Sequence, residues 1–209
     1  MKMLIENFFR KWNIRPSGII HIGAHRCEER DIYRDAGCDD SRVIWIEGNY
    51  ELFNDVRTTL PTVHIYNALI ADQEKTVDFI VTNNDGMSSS FLELKDHLIH
   101  HPQCLEQKRL MNQKTTTLEQ FITDHSIDML QYDFLAMDIQ GCEYLALKGM
   151  TSLLKYFKGI YLEVNTAEIY KECGQLPEVT ALLKDHGFEM RDIFMTPYNW
   201  GDAYFSRTE

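Results

Sequence analysis

An α/β fold with a mostly parallel sheet and helices on both faces is what this 209-residue sequence predicts. Three observations carry the prediction. Short, uninterrupted apolar runs such as Val43-Ile-Trp-Ile46 read as strands buried on both sides. Stretches with apolar residues at helical spacing alternate with them, as parallel crossovers require. Gly and Pro punctuate the boundaries, and no internal repeat or low-complexity tract interrupts the pattern.

In chain order, residues 3–12 form an amphipathic helix within an N-terminal arm (1–16), halted where Pro16 restricts Arg15. Gly18 to Ile22 is the first buried strand, ending in a turn at Gly23. Glu28 and Glu29 suit the start of the next helix, Ile32, Tyr33 and Ala36 form its inner face, and Gly37 stops it. The second strand, Val43 to Ile46, ends at Glu47. Leu52, Phe53, Val56 and Leu60 then give a helix closed by Pro61. Residues 63–69 supply the third strand and 76–81 a fourth run, half of a hairpin, before a polar loop at 82–90. The His-rich stretch that follows, placed within 91–113, reads as an insertion near the active site, helical in pieces around Pro102. The alternation resumes with a helix at Leu118, Phe121 and Ile122, a strand at 134–137, a helix at 145–154 and a strand at 159–164. Val179, Leu182, Leu183 and His186 make the last helix, and 190–194 with 203–206 a closing antiparallel pair.

The length suits a single domain over 1–209, and surface scaling lets such a chain bury roughly 70% of its unfolded surface. Lys plus Arg number 21 against 32 Asp plus Glu, a net charge of −11, the wrong sign for a surface that neutralises phosphates, so nucleic acid is not an expected partner. Five cysteines, odd in number and without a CxxC pair, fit a reducing compartment, and the expected location is cytoplasmic. No secretion signal is read at the N-terminus, and no apolar run approaches the ~18 residues of a membrane span.

In open sheets of this kind ligands bind beyond the carboxyl ends of the strands. Those ends carry Gly23 with Ala24 and His25, Glu47, Asn67 with Ala68, Asp138 with Gln140, and Glu163 with Asn165. Glu47 lies 24 residues after Gly23, close to the ~20 expected for an acid that accepts hydrogen bonds from ribose hydroxyls. A nucleoside is therefore favoured. The segment Gly23-Ala-His-Arg-Cys27-Glu28 lacks two glycines of G-x-G-x-x-G, and Glu28 and Glu29 would repel a pyrophosphate, which disfavours NAD and FAD. No P-loop is present. A nucleoside without phosphates remains, and S-adenosylmethionine is the commonest candidate.

The blocks Gly18-Ile-Ile-His-Ile-Gly-Ala-His25, Ile44-Trp-Ile-Glu-Gly48, Tyr66-Asn-Ala-Leu69, Asn83-Asn-Asp-Gly-Met-Ser-Ser-Ser90, Lys114-Thr-Thr-Thr-Leu118, Met137-Asp-Ile-Gln-Gly-Cys-Glu143 and Tyr161-Leu-Glu-Val-Asn165 occur in this order. Together they resemble the FkbM-type S-adenosylmethionine-dependent methyltransferases. The resemblance implies a class I methyltransferase, Rossmann-like fold: a seven-stranded, mostly parallel sheet with a β-hairpin/helical insertion after the third strand. It places Gly23 and Ala24 on the methionine part of the cofactor, Glu47 on the ribose, and Asn67 and Ala68 beside the adenine. Ser89 and Ser90 would close over the site, with Asp138 beside the methyl group. The chain departs from the family at Cys27, where a glycine is usual, and from many class I enzymes at His21, where an acid is common.

A sulfonium methyl group is already electrophilic, so the enzyme's task is to hold a nucleophile in line and take its proton. The acceptor class expected is a hydroxyl on a sugar, glycan or small metabolite, with Asp138 the first choice of base and Glu163 the second. A divalent metal on Asp138 and a nearby carboxylate or amide is an alternative that the sequence does not favour, and no metal ligand is assigned. Structural alternatives stand beside these readings: Asp138 as a helix cap, Glu143 paired with Lys148, His25 satisfying backbone groups, and His97, His100, His101 and Cys104 as a solvated insertion rather than a zinc site. Tyr198, Trp200 and Tyr204 suit either the core or an acceptor pocket. Two other functions would share the fold, an NAD- or nucleotide-sugar-dependent oxidoreductase and a non-catalytic binding module.

Overall fold

The computed structural model describes residues 2–208. Seven strands make the central sheet: β1 (Ile19–Ile22), β2 (Val43–Glu47), β3 (His64–Asn67), β7 (Phe134–Met137), β8 (Gly159–Asn165), β9 (Phe188–Met195) and β10 (Trp200–Arg207). Their order is β3-β2-β1-β7-β8-β10-β9, parallel except for β10, which runs antiparallel to both neighbours. The chain leaves β1 toward one edge and returns to β7 on its other side, so the switch in strand order falls between β1 and β7, where a crevice opens at the carboxyl ends.

The apolar runs behave as read. Every residue of β1, β2, β7 and β8 is buried. Alternation along these strands then feeds two cores. One face carries Ile20, Ile22, Leu135, Met137 and Leu162 and packs α5 (Leu118–Asp124), α6 (Glu143–Lys148) and α7 (Leu176–Asp185). The other carries Ile19, Trp45, Phe134, Ala136 and Tyr161 and packs α1 (Lys2–Lys11), α2 (Arg30–Asp35) and α3 (Tyr50–Thr59). This second face is aromatic: Phe8 meets Tyr161 edge-on at 5.4 Å, Phe9 meets Phe134 at 5.1 Å, and His21 stacks on Trp45 at 4.7 Å.

Local chemistry starts the helices where they are needed. The side chain of Asn49, just beyond β2, accepts from the backbone N–H of Glu51 and starts α3, and Thr117 does the same for α5 through Gln120. Gln175 and Glu178 form a reciprocal capping box at α7.

Three stretches differ from the sequence reading. The third strand is split: β3 ends at Asn67, and β4 (Leu69–Ile70) turns into a second sheet, order β4-β6-β5, with β5 (Thr76–Thr82) and β6 (Glu106–Thr116). The expected hairpin partner of β5 is therefore β6, an 11-residue strand where helical pieces were expected to continue. Its sequence, EQKRLMNQKTT, is polar because the strand is largely solvated, and that hid it from a search for apolar runs. Helix is present only at α4 (His97–His100). The helix expected at 145–154 is α6 followed, after Gly149 and Met150, by a short 3-10 turn at Leu154–Tyr156.

Candidate functional site

The crevice is a cavity of about 630 Å³ at the carboxyl ends of β1, β2, β7 and β8, covered by the β5–α4 segment. Gly23 makes its floor. Its φ of +90° lies in the left-handed region, and a Cβ there would stand 1.8 Å from the carbonyl oxygen of Asp138. No other residue lets the β1 turn and the β7 end approach so closely. The N–H groups of Gly23 and Ala24 both donate to Ile46 O, at 2.8 and 3.0 Å, tying the turn to β2. Cys27, buried at φ +58°, occupies a backbone region that favours glycine, which accounts for the glycine of the family pattern.

Glu47 ends β2 at the cavity wall. Its two carboxylate oxygens accept from the N–H groups of His25 and Asn49, each at 2.7 Å. Burial pushes its pKa up to about 7 against the pull of these donors. On the other side of Gly23, Asp138 immediately follows β7. Gln140, at φ +55°, turns its amide back to donate to Asp138 Oδ1 at 2.5 Å and to Glu163 Oε2 at 3.3 Å, while its Oε1 accepts from Tyr170 Oη at 2.5 Å. Burial raises both carboxyls above the usual carboxylate range; for Glu163 the Asp138 charge adds to the effect.

The loop over the cavity is pinned from below. His25 donates from Nδ1 to Glu28 at 2.6 Å and from Nε2 to the Asp85 carbonyl at 2.9 Å, so both ring nitrogens face acceptors and the ring is an imidazolium. Arg26 grips the Asp85 carboxylate with Nε and Nη2 at 3.1 and 2.9 Å. Burial opposes the His25 charge, but the Glu28 carboxylate and the Asp85 carbonyl outweigh it and push the pKa up to about 9. A pKa raised above the ordinary 6.5 means that the folded state holds the proton more tightly. That stabilisation is full below pH 6.5 and is lost as pH rises through 9. Urea unfolding should therefore show the stability advantage of the wild type over His25→Gln shrinking by about 1–2 kcal/mol between pH 6.5 and 10, a value discounted for solvent screening at this partly open edge.

Of the residues the sequence singles out, Gly23, His25, Glu47, Ala68, Ser89, Ser90, Asp138 and Glu163 line the one cavity. Ala24 and Asn67 do not. Ala24 is fully buried behind the turn, and Asn67 spends its amide on the carbonyls of Glu47 and Gly48, at 2.7 and 3.2 Å. His97 and Cys104 are buried, contrary to a solvated insertion, and both line the cavity with His101. The His97 ring bonds Ser88 Oγ at 3.1 Å through Nε2, and burial, then the nearby His101 and His100, lower its pKa to about 4. Trp200 reaches the cavity, Tyr204 stays in the core, and Tyr198 is exposed beside His100 and His101. Glu143 does not pair with Lys148, whose ammonium faces Asp72 at 3.8 Å. His21 sits in the core as a neutral ring: burial lowers its pKa to about 4, and Nδ1 bonds Tyr33 Oη at 2.8 Å. Sequence reasoning set Gln140 beside Asp138 at its strand end without giving it a role, and passed over Tyr170, for which no local signal existed.

This strand order, with a single reversed strand and a crevice at the switch point, is the architecture of the class I S-adenosylmethionine methyltransferases. The chain itself belongs to the FkbM methyltransferase family: the family model described as "Methyltransferase FkbM domain" matches residues 21–190. Solved structures share the fold at low identity. Magnesium protoporphyrin IX methyltransferase (ChlM) from Synechocystis PCC 6803, solved with bound SAM, is 11% identical over 99% of this chain and 77% of its own, TM-score 0.50. The ribosomal protein L11 methylase from Lactobacillus delbrueckii subsp. bulgaricus is 12% identical over 100% and 77%, TM-score 0.52. A protein of the NADB-Rossmann superfamily from Streptococcus agalactiae is 10% identical over 98% and 66%, TM-score 0.53. No curated protein matches the sequence. Among the described residues no helix is long and apolar enough to cross a membrane.

Proposed function

We propose that this protein transfers the methyl group of S-adenosylmethionine to a hydroxyl oxygen of a sugar, glycan or other small, uncharged acceptor. One observation carries the reading. Five carboxylates, those of Glu28, Glu29, Glu47, Asp138 and Glu163, line the cavity, and among the described residues no Lys or Arg does. Such a wall repels a pyrophosphate and attracts a sulfonium, and it disfavours phosphorylated or polyanionic acceptors, nucleic acid included.

Gly23 would hold the cofactor's methionine part, Glu47 would accept from its ribose hydroxyls, and Ala68, with the loop that carries Ser89 and Ser90, would border its adenine, which would leave the methyl group toward Asp138. His97, Tyr170 and Trp200 would border the acceptor hydroxyl. Asp138, or Glu163 beside it, takes the proton; burial raises both carboxyls, and the Asp138 charge adds to the effect at Glu163, toward the basicity that proton transfer at neutral pH requires. Both are tethered to one amide, that of Gln140, which fixes their separation.

Calorimetric titration of the purified chain tests the cofactor assignment without an acceptor. S-adenosylhomocysteine should bind at about micromolar Kd and NAD at least about 100-fold more weakly. Comparable NAD binding, or no S-adenosylhomocysteine binding by folded protein, would overturn the reading.

A further inference from the structure

The Gln140 amide serves both candidate bases, and only its partners can fix which way it faces. The two ends of a primary amide have nearly the same shape and opposite hydrogen-bonding character. Its nitrogen lies on Asp138 Oδ1 at 2.5 Å and on Glu163 Oε2 at 3.3 Å. Its oxygen has one partner among the described residues, the Tyr170 hydroxyl at 2.5 Å. Gln140 also stands at φ +55°, a conformation uncommon for a residue with a side chain and kept where the surroundings hold it.

Tyr170 is itself held firmly. It is fully buried in the segment between β8 and α7, and its ring lies against Gly141, where a Cβ would come within 2.9 Å of the ring. The glycine that follows Gln140 thus admits the ring, and the ring brings its hydroxyl to the amide. Burial, and then the Glu163 charge, raise the phenol well above its ordinary 10, so the hydroxyl keeps its proton. That proton meets two acceptors, Gln140 Oε1 at 2.5 Å and the Ser88 carbonyl at 3.4 Å, and goes to the nearer. The backbone pins Tyr170 to the segment that covers the cavity: Tyr170 bridges Leu94, the Lys171 N–H donates to Glu93 O at 2.8 Å, and the N–H groups of Lys95 and His97 donate to Ile169 O at 3.0 and 3.1 Å.

We propose that Tyr170 is a positioning residue for the transfer: its hydroxyl holds the Gln140 amide with the nitrogen toward Asp138 and Glu163. Without that hydroxyl, Oε1 loses its donor and the amide is released to turn its oxygen on the acids. An oxygen there repels their charge and takes away the donor that both share. In this role the Tyr170 hydroxyl touches no reacting atom and acts through Gln140. The tether stands on the hydrogen bonds alone; its effect on transfer rests on the methyltransferase reading with Asp138 or Glu163 as the base.

The experiment compares the full chain with Tyr170→Phe, Gln140→Met and the double variant. Tyr170→Phe removes one oxygen and leaves the ring on Gly141, and circular dichroism melting checks that each variant folds. With ¹⁵N-glutamine labelling, the Gln140 side-chain amide is the NMR signal missing from Gln140→Met. Its protons should exchange with solvent at least about tenfold faster in Tyr170→Phe. S-adenosylhomocysteine affinity should stay within about threefold in that variant. Methyl transfer to a pool of hydroxylated sugars and glycans should fall about 30-fold in kcat, with apparent KM within about twofold, a smaller loss than the 10²- to 10⁴-fold or so that a general base contributes. On the Gln140→Met background the same substitution should cost less than about twofold, because the two residues act as a unit. A Gln140 amide signal that Tyr170→Phe leaves unmoved overturns the tether. So does a loss of equal size in both backgrounds, or one confined to KM, which would put the hydroxyl on the acceptor instead. Absence of turnover by the wild type with the whole pool counts against the acceptor class and leaves the amide signal to decide the tether.

Discussion

Asp138→Asn is expected to reduce methyl transfer by about 10³-fold while S-adenosylhomocysteine still binds, because the substitution removes proton acceptance and preserves shape. The asparagine Oδ1 can keep the bond from the Gln140 amide, now 2.5 Å long, so the loop after β7 has no reason to move. Transfer is read as S-adenosylhomocysteine released in the presence of a pool of hydroxylated sugars and glycans, and binding as heat of titration. Turnover within about tenfold of wild type would remove Asp138 from the base role, since general-base catalysis contributes about 10²- to 10⁴-fold. Glu163→Gln distinguishes the two acids: a smaller loss than at Asp138 keeps Asp138 as the base, and a larger one exchanges their roles.

Glu47→Ala should weaken S-adenosylhomocysteine by roughly 100-fold, about 2.7 kcal/mol, the worth of one or two hydrogen bonds to an ionised acceptor. The wall position and the loss of both backbone contacts make this the largest single effect expected on cofactor binding. The N–H groups of His25 and Asn49 also lose their acceptor, so some loss of thermal stability accompanies it. A melting transition that stays cooperative shows that the affinity loss is local. Unchanged affinity would mean that the ribose lies elsewhere in the cavity.

Much of the cavity lining was legible because its residues occupy strand ends. Gly23, Glu47, Asp138 and Glu163 follow or close apolar runs that are short, continuous and easy to recognise, and a parallel sheet brings such ends to one edge. Residues that depend on side-chain direction were harder. Asn67 and Ala68 are neighbours at one strand end, yet only Ala68 faces the cavity, because Asn67 turns back to cap the carbonyls of Glu47 and Gly48. The same limit applies to Ala24, whose place in the turn is right and whose methyl group points into the core. His97 and Cys104 lie in a polar stretch with no periodicity, and nothing local to them reports that α4 folds down over the crevice.

What the sequence determined by itself is the fold, the switch point and the sign of the charge around it, since all three follow from the order of apolar runs and from composition. The family follows too, because its motif blocks stand in order along the chain. Only the tertiary structure decided which acids lie together. Asp138, Glu143 and Glu163 come from three different elements, and Asp202 joins them only through the antiparallel register of β10 on β8. Carboxylates repel one another, so no local preference draws them into one place. They are held there by the burial of the strands and the helix that carry them, an energy spread over the whole core and invisible at any one of these positions.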